Sequence, residues 1–331
     1  MPRKIAGQRL PPRTGSPPAG NPFRILEDQF FQDIDVTFTL SGEADNGLVF
    51  GATVDLDEVA GGAGGDTDDD FGYSVFISGG NATLTLGDTD GALDAALTEA
   101  GDILNPGSIN DDSTSHWGYR GSYLDGTHDG QIARFSYAYD AFTGHLSVEM
   151  DDDDSGGMLD PVYAVGLSYE RDYGNLNIRA GVGYQGESDY FVQNFEFVGS
   201  PFWTVGFLDS AEFGGSLSAI WTLQGSAVDT IGIGVQATRI TGFPLEAYHH
   251  AIGFGLTSGP YSLHANYGIF DAELAALAND FFRSTGLGVS AGYDLGGGAS
   301  VLAGYNSSTS ELFGNPFVDI QQYSLGFSFS F

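Results

Sequence analysis

At 331 residues, with 50 Gly and 13% aromatics, the chain has room for one large β domain or two ordinary ones. Its 44 acidic residues against 11 Lys+Arg give a formal net charge of −33, which excludes a nucleic-acid binder of the usual electrostatic kind because phosphates would be repelled. The lack of Cys excludes a disulfide scaffold and thiolate metal sites. No run of about 18 apolar residues offers a helical membrane span, but a β span needs only about 9–11 alternating residues.

Residues 1–33 open with "MPRKIAGQRLPPRTGSPPAG", which is basic, proline-rich and without an apolar h-region. It does not read as a secretory signal, and Pro11, Pro12, Pro17 and Pro18 would break a central ladder. The expectation is a disordered or non-native leader standing in place of a signal peptide and first strand. From residue 34 onward the pattern changes. Ile34, Val36, Phe38 and Leu40 alternate with Asp35, Thr37 and Thr39, and Leu48, Phe50, Ala52, Val54 and Leu56 alternate with Gly51, Thr53 and Asp55. The same period of two returns in 175–185, 260–269 and 284–295, and at the terminus Tyr323, Leu325, Phe327, Phe329 and Phe331 are separated by Ser324, Gly326, Ser328 and Ser330. Period two marks half-buried strands. Fifteen are legible, near 34–41, 47–56, 71–78, 82–87, 131–139, 145–150, 161–170, 175–185, 212–223, 230–240, 247–257, 260–269, 284–295, 298–306 and 319–331.

The connections sort by length. Short ones at 42–46, 79–81, 140–144, 171–175, 258–259 and 296–297 carry the Gly and Asn that tight hairpins need. Long polar ones at 57–70, 88–130, 151–160, 186–211, 270–283 and 307–318 alternate with them. That is the plan of an all-β, transmembrane, up-and-down antiparallel β-barrel spanning 34–331, with tight turns at one rim and loops at the other. Such a barrel needs an even number of strands, so one more is expected ahead of 34–41. One face of each strand is bulky and suits lipid, and the other is mostly Gly, Ser, Thr and Asn and suits a water-filled lumen. Tyr139, Tyr184, Tyr293, Tyr305 and Tyr323 are placed for interfacial girdles. A soluble sandwich would alternate too, so a soluble, exported, acidic β-rich binding or structural protein stays open, as does a membrane barrel with an adhesive or substrate-specific role.

Several stretches resemble the Gram-negative general porins, particularly those of alphaproteobacteria. "VTFTLSGEADNGLVFGATVDLDE" (36–58) resembles that family's second hairpin, and "ATLTLGDTDGALDAAL" (82–97) the strand leading into its constriction loop. "GYDLGGGASVLAGYN" (292–306) and "YSLGFSFSF" (323–331) resemble its last two strands. The resemblance implies a 16-stranded barrel in the cell outer membrane, set among lipid and lipopolysaccharide, assembled as a homotrimer and passing small hydrophilic solutes and ions by passive diffusion. It also implies that the last strand, with Tyr323, Phe329 and Phe331, is read by the barrel-assembly machinery. The family's signal peptide, first strand and basic wall cluster are hard to find here.

Segment 88–130 is too long for an idle turn. On this reading it folds inward as a constriction loop, anchored by Leu93 and Leu97 on one face of a short helix capped by Asp90. Asp88, Asp90, Asp94, Glu99 and Asp102 would then place negative charge at the narrowest point and favour cations. Strand parity points Arg134, Arg179, His145 and His264 into the lumen, either as a basic counter-wall or paired with acids such as Glu149 and Glu170. The runs "GGAGGDTDDD" (61–70) and "DDDD" (151–154) lack EF-hand spacing and suit weak Ca²⁺ binding at most. No G-x-S-x-G or H-E-x-x-H motif stands out, no phosphate loop is present, and His249 and His250 lie on opposite faces of a strand, so no enzyme, resident metal or other cofactor is expected.

Overall fold

A computed structural model of the chain describes residues 3–8, 30–31, 36–55, 72–110, 112–119, 121–124, 131–150, 160–187, 191–194, 204–243, 245–274 and 279–330. Among these residues the strands are β1 (Arg3–Gln8), β2 (Phe30–Phe31), β3 (Thr37–Glu43), β4 (Val49–Asp55), β5 (Tyr73–Gly79), β6 (Ala82–Gly87), β7 (Gln131–Tyr139), β8 (Phe142–Met150) and β9 (Val162–Tyr173). The second half comprises β10 (Leu176–Gly186), β11 (Phe191–Asn194), β12 (Thr204–Thr222), β13 (Thr230–Phe243), β14 (Leu245–Ser258), β15 (Tyr261–Leu274), β16 (Asn279–Gly296), β17 (Ala299–Leu312) and β18 (Asn315–Phe329).

Each strand from β3 to β18 pairs antiparallel with its chain neighbour, except that β10 passes directly to β12 and β11 pairs only with Thr204–Phe207 of β12. β1 pairs with β18, Arg3 opposite Phe329, and on its other side with β2, Gly7 opposite Phe31. Setting aside the two-residue β2 and the short β11 that pairs beside β12, the described residues make sixteen crossings. An even number of crossings satisfies the rule for single-chain barrels, and β1 covers the edge of β18 that lipid would penalise by several kcal/mol per unpaired group, while it meets β2 over two residues and β3 pairs with β4 among the described residues. The partner of β18 comes from residues 3–8, ahead of the prolines, while 23–33 contributes Phe30 and Phe31. The rest of 1–33 lies outside the described residues.

The alternation translates into two faces. Leu40, Ile77, Leu84, Phe135, Leu146, Val165, Leu217, Ile252, Leu325 and Phe327 are exposed on the outside. Register makes them a continuous band, with Ile77 opposite Leu84, Leu84 opposite Phe135 and Leu146 opposite Val165. An exposed apolar band around a closed sheet is stable only in lipid. Tyr139, Phe142, Tyr173, Trp221, Tyr261 and Tyr293 cluster beside the tight turns on the same face. Two ring pairs lie here, Phe142–Tyr169 at 5.0 Å and Tyr261–Tyr293 at 4.9 Å. Tyr163 and Tyr184 stand at the other edge of the band, Tyr184 roughly 26 Å along its strand from the turn. Tyr305 is exposed, whereas Tyr323 is half-buried.

The tight turns use the expected residues. Gly47, Gly80, Gly174, Gly225 and Gly259 have positive φ, and Asp140 substitutes for Gly at φ 53°. The other rim departs from the expected plan. The connection expected over 270–283 shrinks to 275–278, and the one over 307–318 is a two-residue turn at Phe313–Gly314, with φ of 50° and 73°. Above the lipid the outer face need not be apolar, so the alternation fades while the hydrogen-bonded ladder continues.

Candidate functional site

The segment after β6 runs along the inner face of the barrel and back again. On the outward pass Ala92 N donates to Ser147 Oγ of β8 (2.8 Å), Thr98 N to Ser216 Oγ of β12 (2.8 Å) and Ala100 N to Gln236 Oε1 of β13 (2.6 Å). His264 Nδ1 of β15 then donates to Ile103 O (2.8 Å), and Ser290 Oγ of β16 to Asn105 Oδ1 (2.5 Å). Ser108 reaches Gly304 of β17. The return pass retraces the arc. Asn266 Nδ2 donates to Ser113 O (2.9 Å), His249 Nε2 of β14 to Gly118 O (2.8 Å) and Thr238 Oγ1 to Gly121 O (2.8 Å). Near its end Tyr123 N (3.1 and 3.0 Å to the two oxygens) and Leu124 N (3.0 Å) donate to the buried Glu212 carboxylate, which also receives Gln185 Nε2 at 2.8 Å.

Inward glycines make this contact possible. A Cβ at Gly166, Gly181, Gly253, Gly255, Gly268 or Gly288 would collide with the backbone of the segment. The small residues on this arc therefore make room for polypeptide. The expectation that they faced water is corrected here, because the segment's main chain occupies that space. Leu93 and Leu97 press into the gap left by Gly214, and Leu93 also meets Gly183. The local secondary structure is two 3-10 turns, Asp94–Ala96 and Ala100–Asp102. The first has Leu93 at its N-cap and no side-chain cap, so the expected capping by Asp90 does not occur. Asp90 instead faces Arg134, whose Nη1 donates to Asp90 O at 2.7 Å and lies 3.4 Å from Oδ2.

The carboxylates divide by exposure. Asp88, Asp90 and Asp102 are exposed, and Asp94 and Glu99 are half-buried. Glu99 Oε1 accepts Gly121 N at 2.6 Å and so ties the two passes together. Asp102 Oδ1 accepts Tyr119 OH at 2.7 Å. Burial, reinforced by the charges of Asp102 and Glu99, pushes the Tyr119 phenol far above its ordinary range, so it remains a donor. Burial holds the His116 imidazole below its usual value, against the opposing pull of its Asn266 hydrogen bond.

The four basic candidates are not brought together. Arg134 pairs with Asp90, and Arg179 Nε donates to Glu170 Oε1 at 2.8 Å. His145 is buried, its Nδ1 2.9 Å from Ser136 Oγ, and His264 is buried under the segment. The uncovered arc is different. The inner row of β3–β6 includes Thr37, Thr39, Ser41, Thr53, Ser74, Ser78, Thr83 and Thr85 together with Phe76 and, near the tight turn, Glu43, and these strands contain no Lys or Arg.

Sequence reading missed an apolar cluster inside the loop rim. Tyr123, Leu124, Ile240, Ala247, Phe270, Ala272 and Phe282 are buried together, with Trp117, Phe281 and Phe317 packed against them. The available signal was the doublets Ile269–Phe270 and Phe281–Phe282, where bulk appears on both faces at once. Gly288–Gly292 also spells G-x-S-x-G, but it lies within β16 and Ser290 is spent on Asn105, so no exposed nucleophile results. Among the described residues no group of three His, Cys, Asp or Glu could hold a metal. The acidic runs at 61–70 and 151–154 lie outside the described residues, as does Phe331.

No curated protein matches the chain. Solved structures do. A porin refined at 1.8 Å resolution superposes with a TM-score of 0.62 at 20% identity, covering 98% of both chains. OmpT, an outer membrane protein of Vibrio cholerae, superposes at 0.61 and 12% identity, covering 98% of this chain and 94% of its own. A variant of the Rhodopseudomonas blastica porin gives 0.53 at 16% identity, covering 98% and 97%. These likenesses establish the barrel fold. The profile of the Gram-negative porins matches residues 21–311. The chain thus belongs to the Gram-negative porin family, a pore-forming β-barrel of the outer membrane that works by passive diffusion and not as an enzyme.

Proposed function

We propose that the pore prefers cations and that the acidic segment 88–130 forms its narrowest part. The observation that carries this reading is a contrast across the lumen. The segment exposes Asp88, Asp90 and Asp102, while the wall on β3–β6 offers hydroxyls and no strong base. The nearest candidate bases, Arg134 and Arg179, are each paired with a carboxylate. A negative lining raises the local concentration of cations and repels anions, an effect that salt screens beyond about 8–10 Å. The test is the zero-current potential of the purified protein in planar bilayers under a salt gradient. Converting Asp88, Asp90 and Asp102 together to Asn moves that potential toward zero. An unchanged potential in the triple variant would remove the acidic constriction from consideration.

On the same footing, the resemblance of 36–58 to alphaproteobacterial porins supports placing the chain among that subtype and expecting a homotrimer in contact with lipopolysaccharide. The aromatic row ending in Tyr323 and Phe329 supports recognition of the last strand by the barrel-assembly machinery. Chemical crosslinking in native membranes tests the trimer, and assembly of a variant truncated before Tyr323 tests the strand.

A further inference from the structure

Two histidines, His116 and His249, tie the return pass of the inner segment to the wall, a third, His264, holds Ile103 of the outward pass and orients Asn266, and their hydrogen bonds run in one direction. His264 Nδ1 donates to Ile103 O, so its Nε2 must accept, and it does so from Asn266 Nδ2 at 3.1 Å. The second proton of that amide goes to Ser113 O at 2.9 Å. Asn266 Oδ1 then accepts from His116 Nε2 at 2.5 Å. Next to this chain, His249 Nε2 donates to Gly118 O, and its ring stands edge-on to Tyr123 at 5.3 Å. His116, His249, His264 and Asn266 are all buried. The remaining nitrogens, His116 Nδ1 and His249 Nδ1, are buried with no acceptor.

We propose that these histidines form an acid-released latch, which keeps residues 113–119 against β14–β16 while the three imidazoles are neutral and frees them when the rings are protonated. The bond directions require it. A second proton on His264 places an N–H at Nε2, facing the N–H of the Asn266 amide. Turning that amide to accept it gives up the bonds to Ser113 and His116 together. A second proton on His116 or His249 buries an N–H and a positive charge with no acceptor, which is unfavourable unless the site opens. The charges would also repel one another. Little nearby offsets them. Asp102 is the one carboxylate that acts on His264, and it is engaged by Tyr119 OH. His250 lies on the far side of β14. Facing the rings from β13 are Gln236 and Thr238, and from β16 Ser284, Gly286, Gly288 and Ser290, all uncharged.

The direction with pH follows from linkage. Burial holds the His116 ring below its ordinary value in the latched state, so the latch is at full strength above the free imidazole value of about 6.5 and weakens as pH falls below it. The inference is independent of which ions the pore prefers.

The experiment is single-channel recording of the full chain between about pH 7.5 and about pH 4.5, with the double variant His116→Gln, His249→Gln alongside. Gln keeps a donor at both positions and cannot titrate. The wild type is expected to show a change of about twofold or more in mean conductance, or the onset of flicker, below about pH 5.5. The double variant should lose at least half of that response and retain its neutral-pH conductance. An equal acid response in both proteins overturns the latch, as does none in the wild type. Should the variant fail to assemble, hydrogen exchange on the wild type decides the matter. Amides at 113–119 and 121–124 must exchange faster at acid pH than their intrinsic rates predict, while β14–β16 stay protected, and a flat profile overturns the proposal.

Discussion

The two arcs of this barrel have nearly the same outer face and opposite inner faces. On β3–β6 the inner row is mostly Thr and Ser, and on β9–β17 it is rich in Gly beneath a double layer of chain. Thr83 Oγ1 donates to Ser78 Oγ at 3.1 Å and Ser78 Oγ to Ala82 O at 3.2 Å, bonds kept within one hairpin, whereas Gln236 on the covered arc is buried and serves both passes of the segment. Both rows look small and polar in a sequence. They are small for different reasons: hydroxyls hydrate, while absent side chains let backbone approach backbone. The pore is asymmetric as a result, with a packed half-interior on one side and a plain wall on the other.

The sharpest way to break this comparison is to restore a side chain beneath the segment. Gly253→Val puts bulk where Ala100 O now rests. It should cost about 1–3 kcal/mol of thermal stability, expose 88–130 to protease and raise conductance, whereas Thr39→Val on the free wall should change stability by no more than about 0.5 kcal/mol. Equal effects at the two positions would mean that the arcs do not differ as described. A smaller effect is expected at Glu212. Its carboxylate accepts from two backbone amides and one carboxamide in a buried site, and Glu212→Gln turns one acceptor into a donor facing them. A loss of about 2 kcal/mol in thermal unfolding is expected, with the end of the return pass opening first in hydrogen exchange.

The smallest effects belong to the two paired arginines, Arg134 and Arg179. Arg179→Ala should change stability by less than about 1 kcal/mol, because its bond to Glu170 is solvated. Arg134→Ala should be equally mild in stability, yet it uncovers Asp90 and so should strengthen cation preference in reversal-potential measurements. A shift toward anions would show that Asp90 does not face the ion path.

Much of the fold was legible because lipid imposes a strict rule. A strand such as "YSLGFSFSF" has one face for hydrocarbon and one for the interior, and a period of two survives single exceptions. Strand positions, tight turns and the outer face of β3–β18 follow from that. Where the rule lapsed, legibility lapsed with it. Above the lipid, β16 and β17 continue through residues expected to be loop, since hydrogen bonding there needs no apolar face. The site was partly legible: the length and acidity of 88–130 marked it, but the partners of Arg134 and Arg179 did not follow from parity alone.

By itself the sequence determined the barrel, its membrane setting and the family, because alternation and turn chemistry are local properties that each strand records separately. Only the tertiary structure decided that inner glycines seat a folded-back segment, that Phe270 and Phe282 meet Tyr123 inside the rim, and that His116, Asn266 and His264 form one chain of bonds. Most of those contacts join residues far apart in the chain, and no local pattern encodes which inward side chain another stretch of backbone will find.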